Sequence, residues 1–72
     1  YVCTFDCNGG FLTEGESYSK EVTAGQAYGS LPWPGKEGYA FGGWYSYDLN
    51  DYVCDGSTVT LGFDHTLVAV WY

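Results

Sequence analysis

The chain has 72 residues, with nine acidic side chains against two lysines, and its formal net charge is −7 at pH 7. That charge excludes nucleic acids, other polyanions and anionic membrane surfaces as partners, because binding them requires cationic side chains that release counterions. Aromatic residues make up 21% of the chain, which is typical of a folded domain with one small core and not of a disordered segment. No apolar run approaches the length of a membrane span, so no membrane insertion is expected.

The first predicted strand is YVCTFDC, residues 1–7. Its odd-numbered residues fall on one face and its even-numbered residues on the other, because successive side chains of a strand point to opposite sides. Cys3 therefore accompanies Phe5 toward the core, as a small buried hydrophobe. The NGG that follows, residues 8–10, ends or turns the strand.

The middle of the chain is rich in turn signals. Residues 17–22, SYSKEV, form a weaker predicted strand. Residues 28–38, YGSLPWPGKEG, carry two prolines and three glycines, which predict an irregular crossing or a single helical turn. The last predicted strands are STVTLGF and TLVAVWY, and no segment shows a long helical period.

Two adjacent glycines interrupt the aromatic segment KEGYAFGGWY, residues 36–45. In a regular strand Tyr39 and Phe41 share one face, and Trp44 points to the other. A β-bulge at Gly42–Gly43 inserts one residue, shifts the register and turns Trp44 toward the face of the other two aromatics. The alternative is that the glycines only make room for a packed aromatic side chain.

The alternation and the proposed bulge together predict the core. It comprises ten residues from all parts of the chain: Phe5, Val22, Leu31, Tyr39, Phe41, Trp44, Val59, Leu67, Ala69 and Trp71.

Cys7 and Cys54 are the predicted disulfide pair. Cys3 and Cys7 stand four residues apart on one strand, about 13 Å at the usual rise, which is too far for a bond between them. Cys3 belongs to the core, whereas Cys7 ends a strand and Cys54 lies in a late loop. A bridge between the last two would suit an oxidising, extracellular compartment.

The sequence predicts no cofactor and no catalytic site. Asp48, Asn50, Asp51 and Asp55 make an oxygen-rich loop that leaves calcium binding open, although the glycine and glutamate of an EF-hand loop are missing. The three cysteines and the single histidine, His65, match no zinc-ligand spacing. Because His65 has only a neighbouring aspartate and no nucleophile motif, it indicates a surface turn and not a catalytic pair.

Three segments carry a family resemblance: TFDCNGG, VTAGQAYGSLPWPGKEGYAFGGWY (residues 22–45) and STVTLGFDHTLVAVW. In this order and spacing they resemble the Listeria–Bacteroides repeat, the B-repeat module of bacterial surface proteins such as internalins. The resemblance covers nearly the whole chain. It implies a small β-grasp-like α+β domain, mostly β, with a short antiparallel or mixed sheet and at most one short helical turn.

The resemblance also implies a biological setting. Residues 1–72 are expected to be a single non-catalytic module of a tandemly repeated protein that is secreted or anchored at the cell surface. The start at Tyr1, without a methionine, favours a segment cut from a longer chain.

The closing strand TLVAVWY, residues 66–72, is apolar on both faces. If Leu67 and its alternate neighbours point inward, then Val68, Val70 and Tyr72 point outward. A domain of this size, with one core, cannot cover both faces of its sheet, so the outward residues predict contact with a neighbouring repeat or a partner protein. Trp33 is a second candidate contact. The alternative is that these are scattered surface hydrophobes that need no partner.

Two functions from different classes remain open. The first is a spacer and protein-interaction module, whose partners are neighbouring repeats and an unidentified protein. The second is a carbohydrate-binding module, in which Trp33, Tyr47 and Tyr52 stack on sugars and acidic groups accept hydrogen bonds from hydroxyls. Aromatics buried in a dry core would favour the first function, and an exposed coplanar row of aromatics would favour the second.

Overall fold

The computed structural model describes residues 1–72 and contains seven β-strands and no helix. The strands are β1 (Val2–Asp6), β2 (Phe11–Leu12), β3 (Ser19–Glu21), β4 (Pro34–Gly35), β5 (Phe41–Ser46), β6 (Asp51–Val53) and β7 (His65–Trp71). Five strands form one mixed sheet in the order β3-β1-β7-β5-β6, and β2 pairs with β4 in a separate two-stranded ladder. The predicted small, mostly β domain is confirmed, without the helical turn that the prediction allowed.

The first and last strands lie side by side in the middle of the sheet. β1 and β7 run parallel, with Phe5 opposite Leu67. β3 adds to β1 antiparallel, and β5 and β6 extend the sheet antiparallel beyond β7. Because parallel neighbours cannot be joined by a tight turn, the chain between β1 and β7 must cross over, and its loops cover one face of the sheet.

The face under these loops, called here the covered face, carries the core. Phe5, Trp44 and Leu67 project from three different strands and are all buried. The rings of Phe5 and Trp44 lie 5.1 Å apart between centroids. Irregular segments and β2 supply the opposite side of the core with Leu12, Val22, Tyr28 and Val59.

Residues 28–38 cross the covered face as an irregular chain that ends in β4 and the turn after it. Pro32 and Pro34 are buried in this crossing. A proline has no N–H to leave unpaired, which suits a buried segment outside the main sheet. The carbonyl of Pro32 accepts a hydrogen bond of 2.9 Å from Trp44 Nε1, so the crossing is tied to the core tryptophan.

The structure places the predicted core residues in three environments. Phe5, Val22, Trp44, Val59, Leu67 and Ala69 are buried, whereas Leu31, Phe41 and Trp71 are partly buried and pack against the core. The placement of Tyr39 in the core is wrong, because its side chain is 54% exposed. Tyr39 precedes β5 in a turn closed by its own N–H and the carbonyl of Lys36, and Lys36 Nζ lies 4.3 Å from its ring centroid.

The predicted β-bulge is present in β5. Phe41 pairs with Trp71 and Gly43 pairs with Val70, so Gly42 is the extra residue between them. Gly43 has a φ of 126°, a backbone conformation that glycine adopts without steric cost. The bulge turns Trp44 into the core, where its ring lies 5.4 Å from that of Phe41.

Candidate interaction surface

The face of the main sheet opposite the covered face is called here the open face. Direct cross-strand partners share a face, and the register places Val68 beside Asp6 on one side and beside Tyr45 on the other. Tyr45 in turn pairs with Tyr52 on β6. Val68 and Val70 are partly buried by these neighbours, and Tyr52 is 48% exposed.

Four tyrosines cluster on the open face around β5 and β6. The ring centroid of Tyr45 lies 5.0 Å from that of Tyr47 and 5.2 Å from that of Tyr52. The Tyr52 hydroxyl lies 3.4 Å from the Tyr72 hydroxyl. This hydrogen bond with Tyr72 is the main cause that raises the pKa of Tyr52. The fold thus brings together five residues of the predicted interaction surface: Tyr47, Tyr52, Val68, Val70 and Tyr72.

The adjacent glycines also shape the tyrosine cluster. A Cβ atom on Gly42 would collide with the ring of Tyr72, and one on Gly43 would lie 3.2 Å from Tyr52 Cδ1. Both interpretations of the glycine pair therefore hold at once. The bulge turns Trp44 into the core, and the missing side chains let two tyrosines lie flat against the open face.

The open face carries acidic and no basic side chains. Asp6 pairs with Val68 there, and Glu21 on β3 pairs with Val2. Lys20 is directed to the covered side, where its Nζ donates hydrogen bonds to the carbonyls of Tyr28 at 2.6 Å and Ser30 at 3.2 Å. The face therefore combines tyrosines and valines with negative charge only.

Trp33 lies apart from the tyrosine cluster. It is 72% exposed and packs against Phe41, with 5.0 Å between ring centroids. It borders a cavity of ≈ 150 Å³ that Leu31, Phe41 and Val53 also line. The structure therefore separates Trp33 from Tyr47 and Tyr52, with which the sequence grouped it.

Phe11 is an exposed aromatic that the sequence analysis missed. It is 73% exposed and pairs with Gly35, two residues after Trp33, which places both aromatics on the outer side of the β2–β4 ladder. The sequence signal was its position directly after the NGG turn, where a strand of only two residues is too short to show alternation.

The predicted Cys7–Cys54 disulfide is wrong in this fold, because all three cysteines are free thiols. Cys7 follows β1 and Cys54 follows β6, and β7 and β5 lie between those two strands. Three strand spacings amount to about 14 Å, more than twice the usual Cα separation across a disulfide. Cys7 is buried among core residues, whereas Cys54 is exposed and lies 3.3 Å from the Ser57 hydroxyl.

Thiol labelling separates the cysteines. Burial raises the pKa of Cys3 to about 11, and it also raises the pKa of Cys7. The thiolate is the reactive form, so both stay protonated and shielded at pH 8. We expect iodoacetamide to modify one thiol, Cys54, rapidly in the folded protein, and all three only in denaturant, as read by intact mass. The control variant Cys54→Ser should lose the fast reaction. Rapid double or triple labelling of the folded chain would contradict the burial of Cys3 and Cys7.

His65 is buried and not part of a surface turn, which corrects the sequence interpretation. It is the first residue of β7 and is 5% exposed. Its Nδ1 lies 2.8 Å from the carbonyl of Phe63, and its Nε2 lies 2.9 Å from the Tyr28 hydroxyl. Because a carbonyl can only accept, Nδ1 carries the proton and Nε2 accepts from Tyr28. Burial raises the pKa of Tyr28, which keeps its hydroxyl available as the donor. The pair is a structural polar link inside the core.

The oxygen-rich loop from Asp48 to Asp55 does not form a cation site. Asp51 accepts a hydrogen bond from the N–H of Tyr52, and Asp55 accepts one from the N–H of Leu31. No group of three or more carboxylate, histidine or cysteine side chains is arranged to hold a metal ion. These aspartates serve the local backbone instead.

Comparison with known proteins places the chain in a family. No helix of the structure is long and apolar enough to cross a membrane. No curated protein matches the chain, and no solved structure matches it either. The family model of the Listeria-Bacteroides repeat domain matches residues 1–70, which is nearly the whole chain. The strand order, the bulged aromatic strand and this match agree, and the chain belongs to the Listeria-Bacteroides repeat family.

Proposed function

We propose that this chain is a non-catalytic repeat module of an extracellular bacterial protein, and that it acts both as a spacer and as a protein-interaction surface. The module is one segment of a longer secreted or surface-anchored chain. Its partners are neighbouring repeats and a further protein. The observation that supports this proposal is the open face, which carries a cluster of tyrosines beside two valines in a domain whose loops cover only the other face.

The chemistry of the open face suits contact with protein. Tyrosine is enriched in protein interfaces, because it offers a large contact area and a hydroxyl while losing little side-chain entropy. Tyr47 and Tyr72 are 70% and 72% exposed, so most of their surface is available to a partner. Val68 and Val70 supply an apolar strip next to these rings. Because the open face is acidic, a partner with basic side chains complements it.

The positions of the chain ends suit a spacer. β1 starts at the opposite end of the sheet from the end of β7, because the two strands run parallel. The longest dimension of the molecule is 36 Å. Modules joined through these ends therefore follow one another lengthwise, and each adds most of its length to the protein.

The carbohydrate-binding alternative receives less support from the geometry. The ring of Tyr45 is inclined by 71° to that of Tyr47 and by 84° to that of Tyr52, so the cluster is not a flat stacking platform. Trp33, the third residue of the proposed sugar platform, lies near Phe41 on the other side of the sheet. A protein surface is therefore the occupant that we propose for the open face.

The double variant Val68→Thr and Val70→Lys tests contact between neighbouring repeats. In a protein with two copies in tandem, the effective concentration of one copy near the other reaches the millimolar range, which reveals weak contacts. We expect the wild-type copies to tumble as one body in ¹⁵N relaxation measurements and the double-variant copies to tumble independently. The melting temperature should stay close to that of the wild type, because both side chains lie on the open face.

The matched control is Thr13→Lys, which adds the same charge at an exposed position before β3. This variant should leave the joint tumbling unchanged. Two results contradict contact through the open face: unfolding of the double variant, which would place Val68 and Val70 in the core, or equal tumbling of wild type and double variant.

A further inference from the structure

We propose that this domain is built to resist tension applied between its two ends, and that the parallel β1–β7 ladder is the element that bears the load. The mechanical property follows from the fold alone. Its use in the cell rests on the proposed function, in which the module is joined at both ends within a longer extracellular chain.

The register defines the direction of the load. Cys3 pairs with His65, which sets Tyr1 level with residue 63, and Tyr72 lies nine residues further along the same direction. At about 3.3 Å per residue, the two chain ends are separated by about 30 Å along the strands. This span approaches the longest dimension of the molecule, 36 Å. A pull on both ends therefore acts along the strands and not across them.

Tension in this direction shears the ladder. The pull draws β1 toward its start and β7 toward its end, so the strands must slide past each other along their length. Parallel hydrogen bonds are evenly spaced along the two strands, so the bonds of the four paired positions share the load. An unzipping pull, in contrast, loads one bond at a time from the end of the ladder.

Neither loaded strand can peel away from an edge of the sheet. β1 is held between β3 and β7, and β7 is held between β1 and β5. The edges of the main sheet are β3 and β6, which bear no direct load from the chain ends. Sliding β1 against β7 would also displace Phe5 from beside Leu67, two buried residues that pack within the core.

The force reaches the ladder with little slack at either end. The carbonyl of Tyr1 accepts a hydrogen bond of 2.7 Å from the N–H of Val22, and the Tyr1 amino group donates one of 2.8 Å to the Val22 carbonyl. At the other end, Tyr72 exchanges two backbone hydrogen bonds with Ala40, at 2.9 and 3.0 Å. The first and last residues are therefore already fixed to the sheet before any load is applied.

Single-molecule force spectroscopy with two pulling geometries tests the proposal. In the first, the chain is stretched between its N- and C-termini, which shears the ladder. In the second, it is stretched between the N-terminus and a cysteine introduced by Gly62→Cys in a Cys54→Ser background. Gly62 lies at the same end of the sheet as Tyr1, and a Cβ there would meet only the Tyr1 hydroxyl, at 3.9 Å. The second geometry unzips the same ladder from one end.

We expect the unfolding force at one pulling speed to be several-fold higher between the termini than between the N-terminus and residue 62. The same protein supplies both measurements, so a difference in stability cannot produce the result. Equal forces, or a lower force between the termini, would overturn the proposal. Forced unfolding reports the barrier along the pulling direction.

A second variant separates mechanical resistance from general stability. Leu12→Ala removes a buried side chain of β2, outside the main sheet. We expect it to lower the melting temperature while retaining most of the termini-to-termini force, and a force that falls in proportion to stability would contradict a load borne by the ladder. Failure of this proposal leaves the tumbling experiment unaffected, because Val68 and Val70 act on binding through the open face.

Discussion

Replacing Trp44 with alanine is expected to lower the free energy of unfolding by about 3–5 kcal/mol, because truncating a buried tryptophan leaves a cavity. Trp44 is 2% exposed and touches the rings of Phe5 and Phe41. The variant also leaves the carbonyl of Pro32 without its 2.9 Å hydrogen bond. A small domain has a total stability of about 5–15 kcal/mol, so much of the variant is expected to be unfolded at 37 °C.

Trp33→Ala is the matched control, since it makes the same substitution at a tryptophan that is 72% exposed. It should change the free energy of unfolding by no more than about 0.5 kcal/mol, as is usual for a surface position. Urea denaturation followed by circular dichroism measures both variants without relying on tryptophan fluorescence. A Trp44→Ala variant that melts near the wild type would contradict both the bulge and the packing of the core.

Gly43→Ala is expected to cost about 1–3 kcal/mol, because residues other than glycine are strained at strongly positive φ. The φ of Gly43 is 126°, and the added Cβ would lie 3.2 Å from Tyr52 Cδ1. Relief of either problem requires a change in the bulge or in the tyrosine cluster. We therefore expect the variant to lose stability and to alter the near-ultraviolet circular dichroism of the tyrosines.

Gly56→Ala is the control for this substitution. No atom lies within 4 Å of the Cβ that would be added there, and its φ is not positive. It should be neutral or slightly stabilising, because alanine restricts the unfolded chain more than glycine does. If the two alanine variants had equal stability, Gly43 would not be a required glycine and the strained bulge would be wrong.

The glycine pair links the core to the interaction surface. One residue, Gly42, is the insertion that changes the register of β5, and it also lies under the ring of Tyr72. The covered and open faces of β5 therefore depend on the same two residues. A substitution at either glycine is expected to affect stability and partner binding together, whereas Val68 and Val70 affect binding alone.

Several features of this protein follow from local sequence patterns. The alternation in residues 1–7 and 66–72 predicts β1 and β7 and the inward direction of Phe5 and Leu67, because side chains of a strand alternate with a period of two residues. The same period places Val68 and Val70 on the opposite face. The glycine pair predicts the bulge, because a one-residue insertion has a local and definite effect on register. The three motifs indicated the family that the comparison then showed.

Other features depend on which strands become neighbours, and a single sequence does not specify that. Cys7 and Cys54 cannot pair because β7 and β5 lie between their strands. Tyr39 shares the parity of Phe41 but lies in the turn before β5, where alternation no longer applies.

The tertiary structure alone decided the partners of the isolated polar and aromatic residues. His65 meets Tyr28, 37 positions away along the chain, and becomes a satisfied core residue. Trp33 and Tyr52 occupy opposite sides of the sheet, although the sequence offered both as exposed aromatics. The physical reason is the same in each case: local periodicity determines which way a side chain points, whereas the crossover between β1 and β7 determines what it meets.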